Sequence, residues 1–293
     1  MDGAGISVIV ASYGAGGTIG ACLSSLRRQE TPVEFEVIVV DSSPDEEAAN
    51  VVAESLPEAR LLRFGERKFA GEARNLGIAE ARGDVIAFID ADCTASETWV
   101  EEIARAHAAP VWAVGGAIGN GNPENRVGWA AYFVEFSQWM PGLPAGWRDD
   151  IAGANMSYKK ETFRRFGHFI EGTYCSDTDF HWRLGEGGHR LWFAPGVVVY
   201  HRNIADLRRF LCHEYEHGRA FARVRTCRKG FPWLVRLVYV VLSPLIPVVL
   251  LCKIAAFHLR NRRYLGRFLV ALPLVVLGLA AWSLGEGTGY ARG

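Results

Sequence analysis

Val85-Ile86-Ala87-Phe88-Ile89 carries no polar side chain and runs directly into Asp90-Ala91-Asp92. Such a run followed by carboxylates describes a strand buried on both faces whose end emerges into water. Side chains alternate along a strand, so the spacing sets Asp90 and Asp92 side by side. In open parallel α/β sheets that edge is where ligands bind. Two anions held close together repel unless a cation lies beside them. A divalent metal bridging carboxylates to a substrate phosphate meets that need. Alone, Asp-x-Asp is also an ordinary polar exit from a strand, so the rest of the chain decides.

The first hundred residues alternate strand and helix patterns. Strands are expected at 6–11, 36–40, 60–64 and 85–89, and helices at 18–29 and 71–81. Pro44-Asp45-Glu46-Glu47 opens another helix, with acids in the first turn as the macrodipole prefers. Apolar strands separated by helices predict a mostly parallel sheet covered on both faces. Beyond Asp92 come a helix at 96–108, a strand at 111–116 and an aromatic stretch from Trp129 to Trp147. A strand at 151–158, a helix from Lys159, a helix at 176–186 and strands at 191–193 and 197–201 follow.

Net charge is zero but unevenly spread: residues 1–100 hold 17 acidic and 8 basic side chains, residues 202–229 hold 3 and 8. A basic helix at 205–229 precedes two apolar stretches, 234–251 and 268–284, each near the ~20 residues that cross a bilayer. Between them, residues 253–267 carry five basic and no acidic side chains. An acidic front and a basic rear beside apolar segments predict a seat on an anionic membrane surface, and no nucleic-acid motif accompanies the charge. If both stretches span, Arg260, Arg262 and Arg263 lie outside, against the positive-inside tendency. A first segment returning at Pro244 and Pro247, with only the second crossing, keeps them cytosolic. The six cysteines form no CxxC pair and no secretory signal precedes the first strand, so reduced thiols are expected. Cys22 and Cys252 read as small core hydrophobes.

Three further motifs have two readings each. Gly14-Ala15-Gly16-Gly17-Thr18-Ile19-Gly20 follows a strand as dinucleotide loops do, with Asp41 ending the next strand, but the GxGxxG spacing fails. His213-Glu214-Tyr215-Glu216-His217 matches HExxH on a helix, yet Ala220 and Arg223 stand where the extended zinc pattern needs Gly and His. It therefore reads as a charged interfacial helix, with a zinc peptidase as the residual alternative. Asp177 and Asp179 open a helix, where acids are favoured, and rotation of about 100° per residue keeps them from facing one site. His201, at a strand end, is either a metal ligand or a hydrogen-bonded strand-end histidine.

Together these pieces resemble the family 2 glycosyltransferases of the GT-A fold. The resemblance rests on Ile6-Ser7-Val8-Ile9-Val10-Ala11-Ser12-Tyr13, Glu36-Val37-Ile38-Val39-Val40-Asp41-Ser42-Ser43 and Gly71-Glu72-Ala73-Arg74-Asn75-Leu76-Gly77. It continues through Gly83-Asp84, the strand to Asp92, Gly153-Ala154-Asn155-Met156, and Asp177-Thr178-Asp179-Phe180 with Arg183-Leu184. It implies donor binding by Ala11, Ser12, Tyr13, Asp41, Arg74 and Asp90, with the Arg74 guanidinium able to pair with diphosphate. It implies Mg²⁺ or Mn²⁺ at Asp92, with His201 as a candidate second ligand. Asp177 matches the general base, and Gly153, Ala154 and Asn155 would border the acceptor. Ser176 stands where many members carry Glu, and no Gln-x-x-Arg-Trp follows, which argues against processive polymer synthesis.

The expected organisation is a GT-A nucleotide-diphospho-sugar transferase domain at 1–204, a basic interfacial region at 205–232 and two membrane segments at 233–293. The expected activity is inverting, metal-dependent, non-processive transfer from a nucleotide-sugar, a UDP-sugar in the first instance. The expected acceptor is a lipid-linked or cell-envelope glycan, with the catalytic part on the cytoplasmic face of the membrane. A non-catalytic nucleotide-sugar-binding scaffold of the same fold is the rival.

Overall fold

The computed structural model describes residues 5–292. Its elements follow the expected alternation: β1 (Ile6–Ser12), α1 (Gly16–Arg27), β2 (Phe35–Asp41), α2 (Glu47–Ser55), β3 (Arg60–Arg63), α3 (Ala70–Glu80), β4 (Val85–Asp90) and β5 (Cys93–Ala95). Next come α4 (Trp99–His107), β6 (Ala113–Asn120), α5 (Arg126–Phe136), β7 (Gly146–Arg148), β8 (Asn155–Lys159), α6 (Lys160–Phe166), α7 (Ser176–Glu186) and β9 (Leu191–His201). The chain ends in α8 (Leu207–Lys229), α9 (Trp233–Leu242), a short 3₁₀ turn at Ser243–Leu245, α10 (Ile246–Asn261) and α11 (Leu265–Arg292).

Two compact units result, Met1–Gly121 with Trp139–His201, and Asn122–Gln138 with Arg202–Gly293. In the first, the strands form one sheet in the order β3-β2-β1-β4-β8-β6-β9-β5, with β7 on β9. β3, β2, β1 and β4 are parallel, as their apolar runs predict. β8 then enters antiparallel to β4, making the sheet mixed. The two strands expected at 191–193 and 197–201 are one strand, broken in register against β6 between Gly116 and Ala117. Phe88, Tyr158, Phe163, Phe169 and Phe180 pack edge-on and stacked in the core beneath the strand ends.

The second unit corrects three expectations. Part of the aromatic stretch, α5, belongs to the second unit because its rings have partners there. Trp129 and Phe133 pack on Tyr264 and Phe268, at centroid distances of 5.1 and 5.4 Å. The chain does not turn back at Pro244 and Pro247. Arg236 Nε donates to the Tyr290 carbonyl, Ser283 Oγ donates to the Ser243 carbonyl, and His258 stacks on Phe268. These pairings run in opposite chain directions, so α9 and α10 follow α11 antiparallel along its length; the prolines open helical turns rather than reverse the chain. Cys22 is buried as expected, but Cys252 is exposed on α10.

Candidate active site

Register alone brings the predicted donor residues to one sheet edge. Ser12 lies opposite Asp41 across β1 and β2, and Ala11 lies opposite Asp90 across β1 and β4. β8 starts at Asn155, opposite Ile89, so the preceding Gly153 and Ala154 arrive beside the end of β4. Cys93 opposes His201 across β5 and β9, which sets Asp92 next to the imidazole. Six strand termini therefore supply the site, as the topology of an open α/β sheet dictates.

Asp92 Oδ1 stands 3.3 Å from His201 Nε2, with the two side chains 39% and 13% exposed. Ligand atoms of Asp92, Cys93 and His201 lie within 4.8 Å of one another. Cys93 was not anticipated; burial, then Asp92 and Asp90, push its thiol well above the ordinary range, so it stays neutral. Burial followed by Asp177 and Asp150 likewise pushes up the Cys175 thiol. A carboxylate oxygen and an imidazole nitrogen at an acidic edge form a donor set that suits a divalent cation.

Arg74 is 4% exposed, and its Nη2 donates to Asp90 Oδ1 at 3.1 Å and to the Gly153 carbonyl at 3.0 Å. A guanidinium so held fixes Asp90 and the 153 loop through Nη2, while its buried Nε has no hydrogen-bond partner among the described residues. Gly153 lies against Asp177: an added Cβ would collide with Asp177 Oδ2 and crowd the Arg74 guanidinium. Arg74 thus ties Asp90 to the Gly153 loop, which lies against Asp177 of α7. Asp177 sits in the first turn of α7, two residues after Cys175, which caps the helix with a left-handed φ of 60°. That conformation is uncommon for a residue with a Cβ and is kept only where the surroundings fix it.

The remaining predicted residues divide. Tyr13 is 47% exposed, and Arg67 stacks over its ring at 4.6 Å while donating to Tyr174 at 3.2 Å. Only the basic-aromatic run Arg67-Lys68-Phe69 hinted at this platform. Asp41 is fully buried, accepting from Ser12 Oγ at 2.9 Å and Ser43 Oγ at 2.7 Å; Ser43 Oγ also accepts from the Gly14 N–H. It shapes the turn after β1. Asn155 corrects its acceptor-side assignment, because its side chain points into the sheet. It accepts from Trp99 Nε1 and donates to the Ala117 and Val197 carbonyls, each at 2.9 Å. Ala154 is buried as well, leaving Gly153 as the accessible member of the three. Asp179 pairs with Arg183 at 3.1 Å and faces away from Asp177's surroundings, as helix rotation requires.

Residues 7–173 match the model of glycosyl transferase family 2. The chain belongs to that family. Glycosyltransferase AglE of Haloferax volcanii is 26% identical over 203 residues, covering 67% of this chain and 66% of the relative. A pre-mycofactocin glycosyltransferase of Mycobacterium tuberculosis is 28% identical over 207 residues, covering 67% and 43%. The chain therefore spans less than two thirds of these relatives' lengths. Among solved structures, the mannosyltransferase PcManGT from Pyrobaculum calidifontis, in complex with GDP-Man and Mn²⁺, superposes with a TM-score of 0.65. That match covers 98% of this chain and 88% of the other at 17% identity, a likeness of fold. The mixed sheet with flanking helices is the GT-A fold.

Gly153→Ala tests the close approach of Arg74 and Asp177 to Gly153. The new methyl group forces one or both aside, at a cost of about 1–3 kcal/mol. Turnover is expected to drop by about tenfold or more while circular dichroism stays that of the parent, checked by steady-state kinetics and urea unfolding. Unchanged turnover would dissociate Gly153 from the reacting centre.

Proposed function

We propose that this family 2 glycosyltransferase moves one sugar from a nucleoside-diphosphate donor to a hydroxyl of a lipid-linked or envelope glycan, with inversion and with a divalent metal. The observation that carries this reading is the Arg74 bridge. Arg74 Nη2 holds Asp90 at the end of β4 and the Gly153 carbonyl, and Gly153 in turn lies against Asp177.

In this reading Ala11, Ser12, Tyr13 and the Asp41-supported turn receive the nucleoside, with the Arg67–Tyr13 stack offering a flat face to the base. Asp92 and His201 would hold the metal, and the imidazole favours Mn²⁺ over the oxygen-seeking Mg²⁺. When bound, the metal supplies Lewis-acid neutralisation of charge on the departing diphosphate. Asp177, half-buried at the start of α7, accepts the proton of the acceptor hydroxyl as its oxygen attacks the anomeric carbon. Gly153 leaves room for that hydroxyl to approach. One displacement inverts the anomeric centre. The uridine donor expected from sequence and the GDP-Man of the structural neighbour define the two nucleotides to try first.

The two apolar helical segments, Trp233–Asn261 and Leu265–Arg292, support a membrane-attached enzyme and hence a lipid-linked acceptor. The peptidase reading lacks its base: Glu214 is fully buried, and burial followed by the Glu135 carboxylate pushes its pKa well up. A neutral carboxyl sealed from water cannot activate one.

The product's configuration tests the mechanism. Proton NMR of the first product formed from an α-linked donor should show a β-glycoside. An α-glycoside would contradict a single displacement with Asp177 as base.

A further inference from the structure

Membrane attachment, proposed above, leaves open whether the apolar helices cross the bilayer. We infer that neither does: the helical unit lies in one leaflet of an anionic membrane, with α9, α10 and one stripe of α11 facing lipid. The inference rests on the membrane-attached reading and concerns the Asn122–Gln138 and Arg202–Gly293 unit alone.

Helices α5 and α8 cover α11. Its first turn and the residue before it meet α5, through Phe268–Phe133 and Tyr264–Trp129. Its last turns meet α8. An added Cβ at Gly285 would collide with the Tyr215 carbonyl, and Arg225 Nη1 donates to Tyr290 Oη at 3.0 Å. Both covering helices start from one clasp. Asn122 Nδ2 donates to the Asn203 carbonyl and the Asn203 N–H donates to Asn122 Oδ1, each at 2.9 Å. α5 begins at Arg126 and α8 at Leu207, a few residues beyond it. Segments that start together therefore line both ends of α11.

Depth makes the conflict concrete. Twenty-eight residues of α11 extend on the order of 42 Å at 1.5 Å per residue, against a hydrocarbon core of about 30 Å. Gly278, at the middle of the helix, faces the Phe210 ring of α8. Arg208 and Arg209, both exposed, immediately precede Phe210. A spanning α11 would hold these two guanidinium groups near the bilayer centre and α5 near its far side, positions that charged side chains avoid.

An α11 lying along the surface removes the conflict. Its exposed apolar residues Leu269, Val276 and Leu284 recur on one stripe, while Ala271, Val275 and Leu279 turn inward. No residue of α9 is buried; Leu234, Leu237 and Val241 are exposed, and α10 continues the face with Val248 and Val249. Charge complements the choice of occupant. Arg260, Arg262, Arg263 and Arg267 crowd one end of the hairpin and Arg228 and Lys229 the other, with no acid between residues 253 and 267. Such a rim suits anionic headgroups, and an apolar face with basic borders lies in the interface.

The test uses the full chain with Cys212, Cys227 and Cys252 changed to Ser and one reporter at a time: Glu66→Cys, Asn261→Cys or Arg292→Cys. All three reporters lie at exposed positions. A membrane-impermeant maleimide is applied to sealed right-side-out and inside-out vesicles of the expressing cell. Labelling of all three from the same single face is expected. Asn261→Cys labelled from the face opposite Glu66→Cys would show two crossings, and Arg292→Cys alone on the opposite face would show one; either overturns the inference. Recovery of the parent in the soluble fraction would overturn the membrane-attached reading along with it. On vesicles of phosphatidylcholine with phosphatidylglycerol, changing Arg260, Arg262 and Arg263 to Gln should weaken binding by about a hundredfold. Unchanged binding would overturn the role given to the basic rim.

Discussion

Asp177→Asn is expected to lower kcat for sugar transfer by about a hundredfold to ten-thousandfold while leaving donor affinity within about twofold. The amide is isosteric and keeps the first-turn position on α7, but it cannot take a proton from an attacking hydroxyl. Asp177 Oδ2 lies against Gly153, whereas Asp92 is paired with His201. Kinetics with titrated donor, alongside calorimetric donor binding, divide the two effects. Loss of donor affinity with transfer intact would reverse the roles assigned to the two carboxylates.

Asp92→Asn is expected to act on the other half of the site. An amide is a weak ligand for a hard divalent cation, so metal-dependent donor binding should be lost. The Lewis-acid contribution forfeited is several kcal/mol, on the order of a thousandfold in rate. His201→Ala should do the same more mildly, because the carboxylate oxygen remains. Both variants should keep the parent's unfolding midpoint without metal, since Asp92 is a partly exposed residue at a sheet edge and not a core strut. A variant that binds donor with Mn²⁺ as the parent does would remove Asp92 from the metal site.

Much of this was legible in the chain. The run from Val85 to Ile89 could only be a buried strand, and residues 176–186 coincide with α7, where the acids of the first turn are a local feature. Sequence also separated Asp177 from Asp179, since helix rotation is fixed. What it missed depends on partners. Nothing local distinguishes the antiparallel entry of β8, and the inward turn of Asn155 follows from Trp99 and two carbonyls far away in sequence. The bond from Arg74 to Asp90, sixteen residues on, could not be read from pattern. Pro244 and Pro247 read as a reversal, yet prolines at the first positions of helical turns let α9 and α10 continue along α11. Hydropathy described two spans, and only the clasp at Asn122 and Asn203 reveals how α5 and α8 cover the second.

Isothermal titration of the full chain with UDP and GDP, with Mn²⁺ present and again after chelation, addresses the metal-bridged diphosphate most directly. At least one nucleotide should bind with Mn²⁺ and lose that affinity on chelation, with Asp92→Asn insensitive to the metal. Equal affinity in Mn²⁺ and in chelator, for every nucleotide that binds, would contradict the account.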